Sequence, residues 1–359
     1  MTAAFARLLQ RHWWRPTLTP LTAALAPLGW LVGAVAARRR ARASARAAPL
    51  PVPVIVVGNV IVGGAGKTPT VIALVALLRA WGRHPGIVSR GHGRADDVAL
   101  LLDAATPADA ATSAAFGDEP LLMHRRTGAP VSVARQRRLA ALRLLEAHPE
   151  VDVVIADDGL QHHGLARDVE LVVFDGRGIG NGHPLPAGPL RERADAICPE
   201  GGDTPPRFIL VNGRWPAPPA RTLPAPRERC FEATRALGGA LALQEWSRGG
   251  VATRDALLAL RGRPLLAAAG IGDPERFFAM LEAEGLAIAR LPLADHATFD
   301  PLPWPDDSAD VVVTEKDAVK LADRPLGRAR VWVVTLDFGL PDALADALRQ
   351  SLAGRPRRA

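Results

Sequence analysis

A chain of 359 residues, 48% of them hydrophobic, has room for about two domains and enough apolar side chain for an ordinary core, which excludes wholesale disorder. Its formal charge of +7 would suit a polyanion, but of 44 basic residues all except Lys67, Lys316 and Lys320 are arginine, so the charge reads as a chain-wide bias and no nucleic-acid partner is expected. Cys198 and Cys230 have neither the spacing of a metal site nor the density of a disulfide scaffold, and a reducing compartment is the default.

Leu18 to Ala37 carry no charge and lie between Arg11, His12, Trp13, Trp14 and Arg15 on one side and Arg38, Arg39, Arg40, Arg42 and Arg46 on the other. The length can just span a bilayer. Pro20, Pro27 and many alanines make it only weakly apolar, while the paired tryptophans and flanking arginines suit a headgroup interface. Residues 1–47 therefore read as a membrane-associated segment. A helix buried in a soluble fold and a signal peptide are the competing readings. If the segment spans, the heavier downstream arginine cluster keeps the body of the protein in the cytoplasm.

After the proline-rich joint Pro49 to Pro53, the apolar, β-branched run Val54 to Val57 predicts a strand buried on both faces. Thr70 to Trp81 predicts a helix with Val71, Leu74, Val75 and Leu78 on one stripe. Further buried strands are predicted at Val151 to Ala156 and Glu170 to Phe174. Strands alternating with helices imply a mostly parallel α/β sheet. A proline- and glycine-rich stretch puts a soft boundary near residue 225, giving a core at 48–225 and a smaller α/β unit at 226–359. That second unit has strands at Pro264 to Ala269, Val311 to Thr314 and Arg330 to Leu336, and a helix at Pro274 to Glu284.

Between the first strand and helix stands Gly63-Gly64-Ala65-Gly66-Lys67-Thr68. A strand, a glycine-rich turn and a helix opening with Lys-Thr aim backbone N–H groups and a helix N-terminus at one point, which suits the phosphates of ATP. Lys67 is expected to reach the β and γ phosphates and the Thr68 hydroxyl to ligate Mg²⁺. Ile61 stands where the strict motif has its first glycine, so the flanking strand and helix carry the reading. Asp157 and Asp158, at the end of a buried strand, are candidate metal carboxylates; Asp-Asp-Gly is also a good turn. Phe116-Gly117-Asp118-Glu119-Pro120 offers two acids, either of which could take a proton from a hydroxyl acceptor, and a surface turn fits the spacing equally well.

The ordered series Gly58-Asn59, Gly63 to Pro69, Ser89-Arg90-Gly91-His92-Gly93, Gly117 to Pro120, Asp157-Asp158-Gly159-Leu160-Gln161-His162, Pro186 to Glu192, Asp295-His296 and Thr314-Glu315-Lys316-Asp317 closely resembles the tetraacyldisaccharide 4'-kinases. The resemblance covers roughly residues 50 to 320. It implies a P-loop NTPase core, a smaller C-terminal α/β domain and an N-terminal membrane-associated helix. It also implies transfer of the γ-phosphoryl of ATP, with Mg²⁺, to the 4' hydroxyl of a tetraacylated glucosamine disaccharide 1-phosphate in lipid A biosynthesis. The expected place is the cytoplasmic face of the inner membrane, with the membrane surface and the glycolipid as partners and no protein partner implied.

Carried over by position, Lys67 and Thr68 hold nucleotide and metal, together with Gly63, Gly64, Ala65 and Gly66 of the loop. Asp118 is implied to be the base. Glu119, Asp157, Asp158 and Glu192 belong to the acidic, metal-bearing site, and His296 orients Asp118 when the two domains close. Asn59, Arg90 and His162 fall on the substrate side, and Arg90 suits the existing phosphate. The family often has tyrosine after Arg-Gly and after Asp-His; here His92 and Ala297 stand there, and the chain has no tyrosine.

The alternative is a P-loop ATPase or GTPase switch of the partitioning or metallochaperone type. Several of those carry a lysine before the paired glycines, where this chain has Val62. Thr314-Glu315-Lys316-Asp317 only partly imitates the Asn-Lys-x-Asp that reads guanine.

Overall fold

The computed structural model describes residues 3–45, 47–91, 98–106, 112, 115–198, 205–213, 225–322 and 324–353. His92 and the arginine-rich tail lie outside the described residues. In chain order the main elements begin with α1 (Ala3–Trp13), α2 (Pro20–Ser44), β1 (Val54–Gly58), α3 (Lys67–Ala80), β2 (Pro85–Ser89) and β3 (Leu100–Leu102). Next come α4 (Asp118–Thr127), β4 (Val131–Val133), α5 (Arg137–Ala147), β5 (Val153–Asp157), β6 (Val169–Asp175), β7 (Arg207–Asn212) and β8 (Cys230–Ala242). The last are β9 (Leu265–Ala269), α6 (Pro274–Ala283), β10 (Ile288–Pro292), β11 (Asp310–Thr314), α7 (Glu315–Leu321), β12 (Arg330–Gly339) and α8 (Asp342–Ala353).

These elements form two compact units. The first is Met1–Arg90, Ala134–Thr234 and Gly339–Ala359, and the second is Gly91–Val133 with Arg235–Phe338. The division does not follow the single cut near residue 225 expected above. Residues 91–133 group with the later chain because α4 packs on α7, where Arg126 pairs with Glu315 and Lys316 with Glu119. Linear composition does not record such long-range pairing. The excursion leaves and re-enters the first unit at one place, where the Ala134 N–H donates to the Ser89 carbonyl at 3.2 Å. Near the second crossing, the Gly339 backbone passes against the Thr234 side chain.

In the first unit the strand order is β8-β7-β6-β1-β5-β2, and every pairing is parallel. All residues of β1, β5, β6 and β7 are buried, as strands covered on both faces must be. Register sets Val57 beside Asp157 and Asp175 beside Asn212, so the carboxyl ends of adjacent strands carry the polar residues. Ligands of open α/β sheets bind outside such ends.

The amino-terminal segment is helical. Thr19 caps α2 in a reciprocal box with Thr22, and Pro20 sits at the first position, where a missing N–H costs nothing. Its mean hydropathy of 1.6 over an 18-residue window makes it long and apolar enough to cross a membrane. One face is buried on the first unit through Thr22, Gly29 and Gly33. A Cβ at Gly29 would stand 2.8 Å from the Pro184 carbonyl oxygen, so only glycine allows that approach. The rest exposes Leu28, Trp30, Leu31, Val32 and Val35. The two tryptophans expected at a headgroup interface are otherwise engaged: Trp13 is buried and donates to the Pro186 carbonyl at 2.9 Å, and Trp14 lies under the Arg177 guanidinium. Trp30 is the exposed one.

The second unit has parallel β10-β9-β11-β12, with the later residues of β8 beside β12, and an antiparallel β3–β4 pair. Leu257, Leu260, Ala267, Phe278, Leu281 and Val312 form its apolar core.

Candidate active site

In the first unit, β1 ends at Gly58, the chain turns through residues 59–66, and α3 begins at Lys67. The turn is held from several sides. Asn59, fully buried, donates from Nδ2 to the Gly63 carbonyl at 2.8 Å and receives Lys67 Nζ on Oδ1 at 3.4 Å. Asn212, at the end of β7, donates to the Ala65 carbonyl at 3.2 Å. Residues 185–191 strap the outer edge: the Val62 N–H donates to Pro189, and the Arg191 N–H donates to Val60. Gly66 caps the helix at φ +95°, and a Cβ there would stand 2.0 Å from Asn212 Nδ2. That left-handed position and that contact both demand glycine.

Lys67 Nζ lies 3.6 Å from Asp158 Oδ1, which brings the predicted nucleotide lysine and one predicted metal acid together. Asp158 adopts φ +46°, a conformation asparagine and aspartate tolerate best among non-glycine residues. Asp157 sits beneath it, buried, with Oδ2 accepting from the Ser89 hydroxyl at 2.9 Å. The carbonyls of both aspartates accept from Arg137, only 2% exposed. Burial lowers the Arg137 pKa to about 10 against the opposing pull of the two carboxylates. Burial, then Arg137 and Arg90, push His162 down to about 4, so its imidazole is neutral beside this acid pair. Arg90 itself is exposed at the end of β2.

Thr68, Asp157 and Asp158 offer hard oxygen donors next to the loop, which fits Mg²⁺ chemistry. Glu192 is engaged elsewhere: its Oε2 accepts from Arg40 of α2 at 3.0 Å, and burial raises its pKa. Glu119 belongs to the second unit. Among the described residues no three His, Cys, Asp or Glu side chains gather closely enough to hold a metal by themselves.

In the second unit, Asp118 and Glu119 open α4, where a helix N-terminus favours negative charge. His296 Nδ1 lies 3.7 Å from Asp118 Oδ2, so the expected pair is brought together within one unit, not across two. His296 is held at φ +62°, with its N–H donating to the Gly270 carbonyl at 3.2 Å. Lys316 Nζ contacts Glu119 at 2.9 Å and Asp295 at 3.4 Å, and Lys320 Nζ lies 3.4 Å from Asp118 Oδ2. Thr314 caps α7 by accepting from the Asp317 N–H, and Asp317 is fully buried. Thr314 to Asp317 is thus a helix cap in the unit that carries Asp118.

Several residues in this machinery escaped sequence reasoning. Arg137 gave no local signal, and the one clue to Asn212 was a polar residue closing an apolar strand. Lys320 could have been suspected from the scarcity of lysine.

A parallel sheet whose central strand runs into a glycine-rich turn and a lysine-opened helix, with an aspartate from the next strand at that lysine, defines a P-loop nucleotide-binding enzyme. The family model described as tetraacyldisaccharide-1-P 4'-kinase matches residues 21–353. Similar proteins called tetraacyldisaccharide 4'-kinase include one from Methylibium petroleiphilum, 50% identical over 94% of this chain and 92% of its own, and one from Leptothrix cholodnii, 49% identical over 92% of each. The crystal structure of LpxK from Aquifex aeolicus in complex with ATP matches with a TM-score of 0.72 at 25% identity, covering 92% of this chain and 99% of that one. The chain belongs to the tetraacyldisaccharide-1-P 4'-kinase family and is a kinase.

Proposed function

We propose that the chain transfers the γ-phosphoryl of ATP to the 4' hydroxyl of a tetraacylated glucosamine disaccharide 1-phosphate, using Lys67 and Thr68 for the nucleotide and Asp118 as base. The observation that carries the residue roles is the pairing of Lys67 with Asp158 in one unit and of Asp118 with His296 in the other. The backbone N–H groups of the loop and the Lys67 ammonium neutralise phosphate oxygens. Thr68, Asp157 and Asp158 would hold Mg²⁺, which when bound offsets charge on the transferring phosphoryl group. Asp118 accepts the proton of the 4' hydroxyl as the new O–P bond forms, the bond from the γ phosphorus to the β–γ bridging oxygen breaks, and ADP departs. His296 fixes the Asp118 rotamer. Neutral His162 and cationic Arg90 suit the sugar and its existing phosphate. Glu119 and Glu192, each ion-paired here, are assigned to supporting the acidic site through Lys316 and Arg40.

The acceptor carries four acyl chains and stays at the bilayer, so its kinase must work at the surface. The exposed apolar face of α2 and Arg38 to Arg42 beyond it suit that location, on the cytoplasmic side of the inner membrane where ATP is present. The test is incubation with γ-labelled ATP, Mg²⁺ and detergent-dispersed disaccharide 1-phosphate lipid. Label at the 4' position, lost in Lys67→Ala, is the expected result. ATP hydrolysis with no labelled lipid would overturn the acceptor, and near-normal turnover by Lys67→Ala would overturn the loop's role.

A further inference from the structure

Two of the chain's three lysines, Lys316 and Lys320, lie four residues apart on α7, and residues so spaced share a helix face. In a protein that otherwise uses arginine for positive charge, a lysine marks a place where a compact ammonium is wanted in place of a broad planar fork. Lys320 is such a place. Its side chain is 8% exposed, and its Nζ is buried with no hydrogen-bond partner of good geometry. Around it stand Asp118 Oδ2 at 3.4 Å, Asp317 Oδ1 at 3.8 Å and the Phe299 ring at 5.8 Å. A buried ammonium without a well-made hydrogen bond costs stability, so its retention asks for another reason.

The geometry supplies one. Asp317 does not depend on Lys320 for its position: its other oxygen accepts from the Thr314 hydroxyl at 2.7 Å and from the Gly270 N–H at 3.1 Å. Asp317 is therefore a fixed carboxyl group that locates Lys320. The carbonyl of the same Gly270 accepts the His296 N–H. One glycine thus ties down His296 and the Asp317 that faces Lys320, and His296 and Lys320 converge on the same carboxylate oxygen.

We propose that Lys320 is a positioning residue for Asp118: anchored by Asp317, its ammonium and His296 together grip one oxygen of the carboxylate and turn the other toward the acceptor hydroxyl. The proposal rests on Asp118 being the base. Lys320 touches neither substrate nor nucleotide in this role and acts wholly through Asp118. Lys316, by contrast, is spread over Glu119, Asp295 and His296 Nε2 and bonds no oxygen of Asp118 among the described contacts.

The test is a double-mutant cycle on the full-length enzyme with ATP, Mg²⁺ and the lipid acceptor, comparing Lys320→Met, Asp118→Asn and the pair. Lys320→Met is expected to lower kcat by about 10- to 100-fold, the loss that follows from slight misplacement of a reacting group, with the KM for ATP little changed. On the Asp118→Asn background the same substitution should cost almost nothing further, because there is no base left to position. An equal loss on both backgrounds, or an unchanged kcat, overturns the proposal. Wild-type turnover by Asp118→Asn overturns the base assignment itself and is read from a different variant. Should Lys320→Met fail to fold because it strands the buried Asp317 carboxylate, the cycle is run with Lys320→Met and Asp317→Asn together, and the same outcomes decide.

Discussion

Gly66→Ala is the sharpest single test of the phosphate loop. An L-residue at φ +95° costs about 1–2 kcal/mol relative to glycine. The new Cβ would also stand 2.0 Å from Asn212 Nδ2, a separation no pair of atoms can keep, so Asn212 must leave. Its departure breaks the bond to the Ala65 carbonyl and strands a buried amide, at about 1–3 kcal/mol. Together these oppose the nucleotide-holding form of the loop by about 2–5 kcal/mol, and at about 1.4 kcal/mol per tenfold the affinity for ATP should fall about 30-fold or more. Calorimetric titration with a non-hydrolysable ATP analogue and Mg²⁺ measures it. Combining Gly66→Ala with Asn212→Ala removes the collision and leaves the backbone cost, so the double variant should bind more tightly than Gly66→Ala alone. An affinity for Gly66→Ala within about threefold of wild type, a shift below about 0.7 kcal/mol, would refute the reasoning.

Replacing Trp30 and Leu31, 63% and 60% exposed on α2, with glutamine should cut partitioning onto anionic vesicles at least about tenfold while leaving nucleotide affinity unchanged; unchanged flotation would remove this face from membrane binding. His162 titrates ordinarily near 6.5 and in the fold near 4, so between those values the unfolded chain takes up a proton that the folded chain refuses. Its contribution to stability is full above pH 6.5 and is lost as the pH falls toward 4. Thermal midpoints of His162→Gln should therefore decline less steeply than those of wild type over that range, and parallel slopes would contradict the assignment.

The central strands were legible because β1, β5, β6 and β9 are short apolar runs with few other ways to be satisfied. β8 was not, since Cys230 to Ala242 is rich in alanine and glycine and owes its extended form to pairing with β7. β2 begins with Pro85-Gly86, local punctuation that reads as a turn, yet it pairs with β5 in full register. The loop around Lys67 announced itself because its chemistry is contiguous in sequence. The Asp118–His296 pair spans 178 positions and was reached only through the family resemblance. Arg137 stayed hidden because what singles it out is burial beside two carbonyls, which residue type does not reveal; for Lys320 the scarcity of lysine was a signal, but its burial beside a carboxylate was not legible.

The place where residues 91–133 depart and return has a consequence for how such enzymes diversify. Ser89 and Ala134 are joined by a hydrogen bond, and at the other crossing the Gly339 backbone stands against the Thr234 side chain. Each excursion is thus closed at its base, and lengthening a closed loop costs only about 0.6 kcal/mol per doubling. Lineages can therefore insert, delete or reshape chain in the second unit without disturbing the strand register of the first. Relatives should differ in length mostly above these two stems, and the stems themselves are natural points at which to exchange one second unit for another.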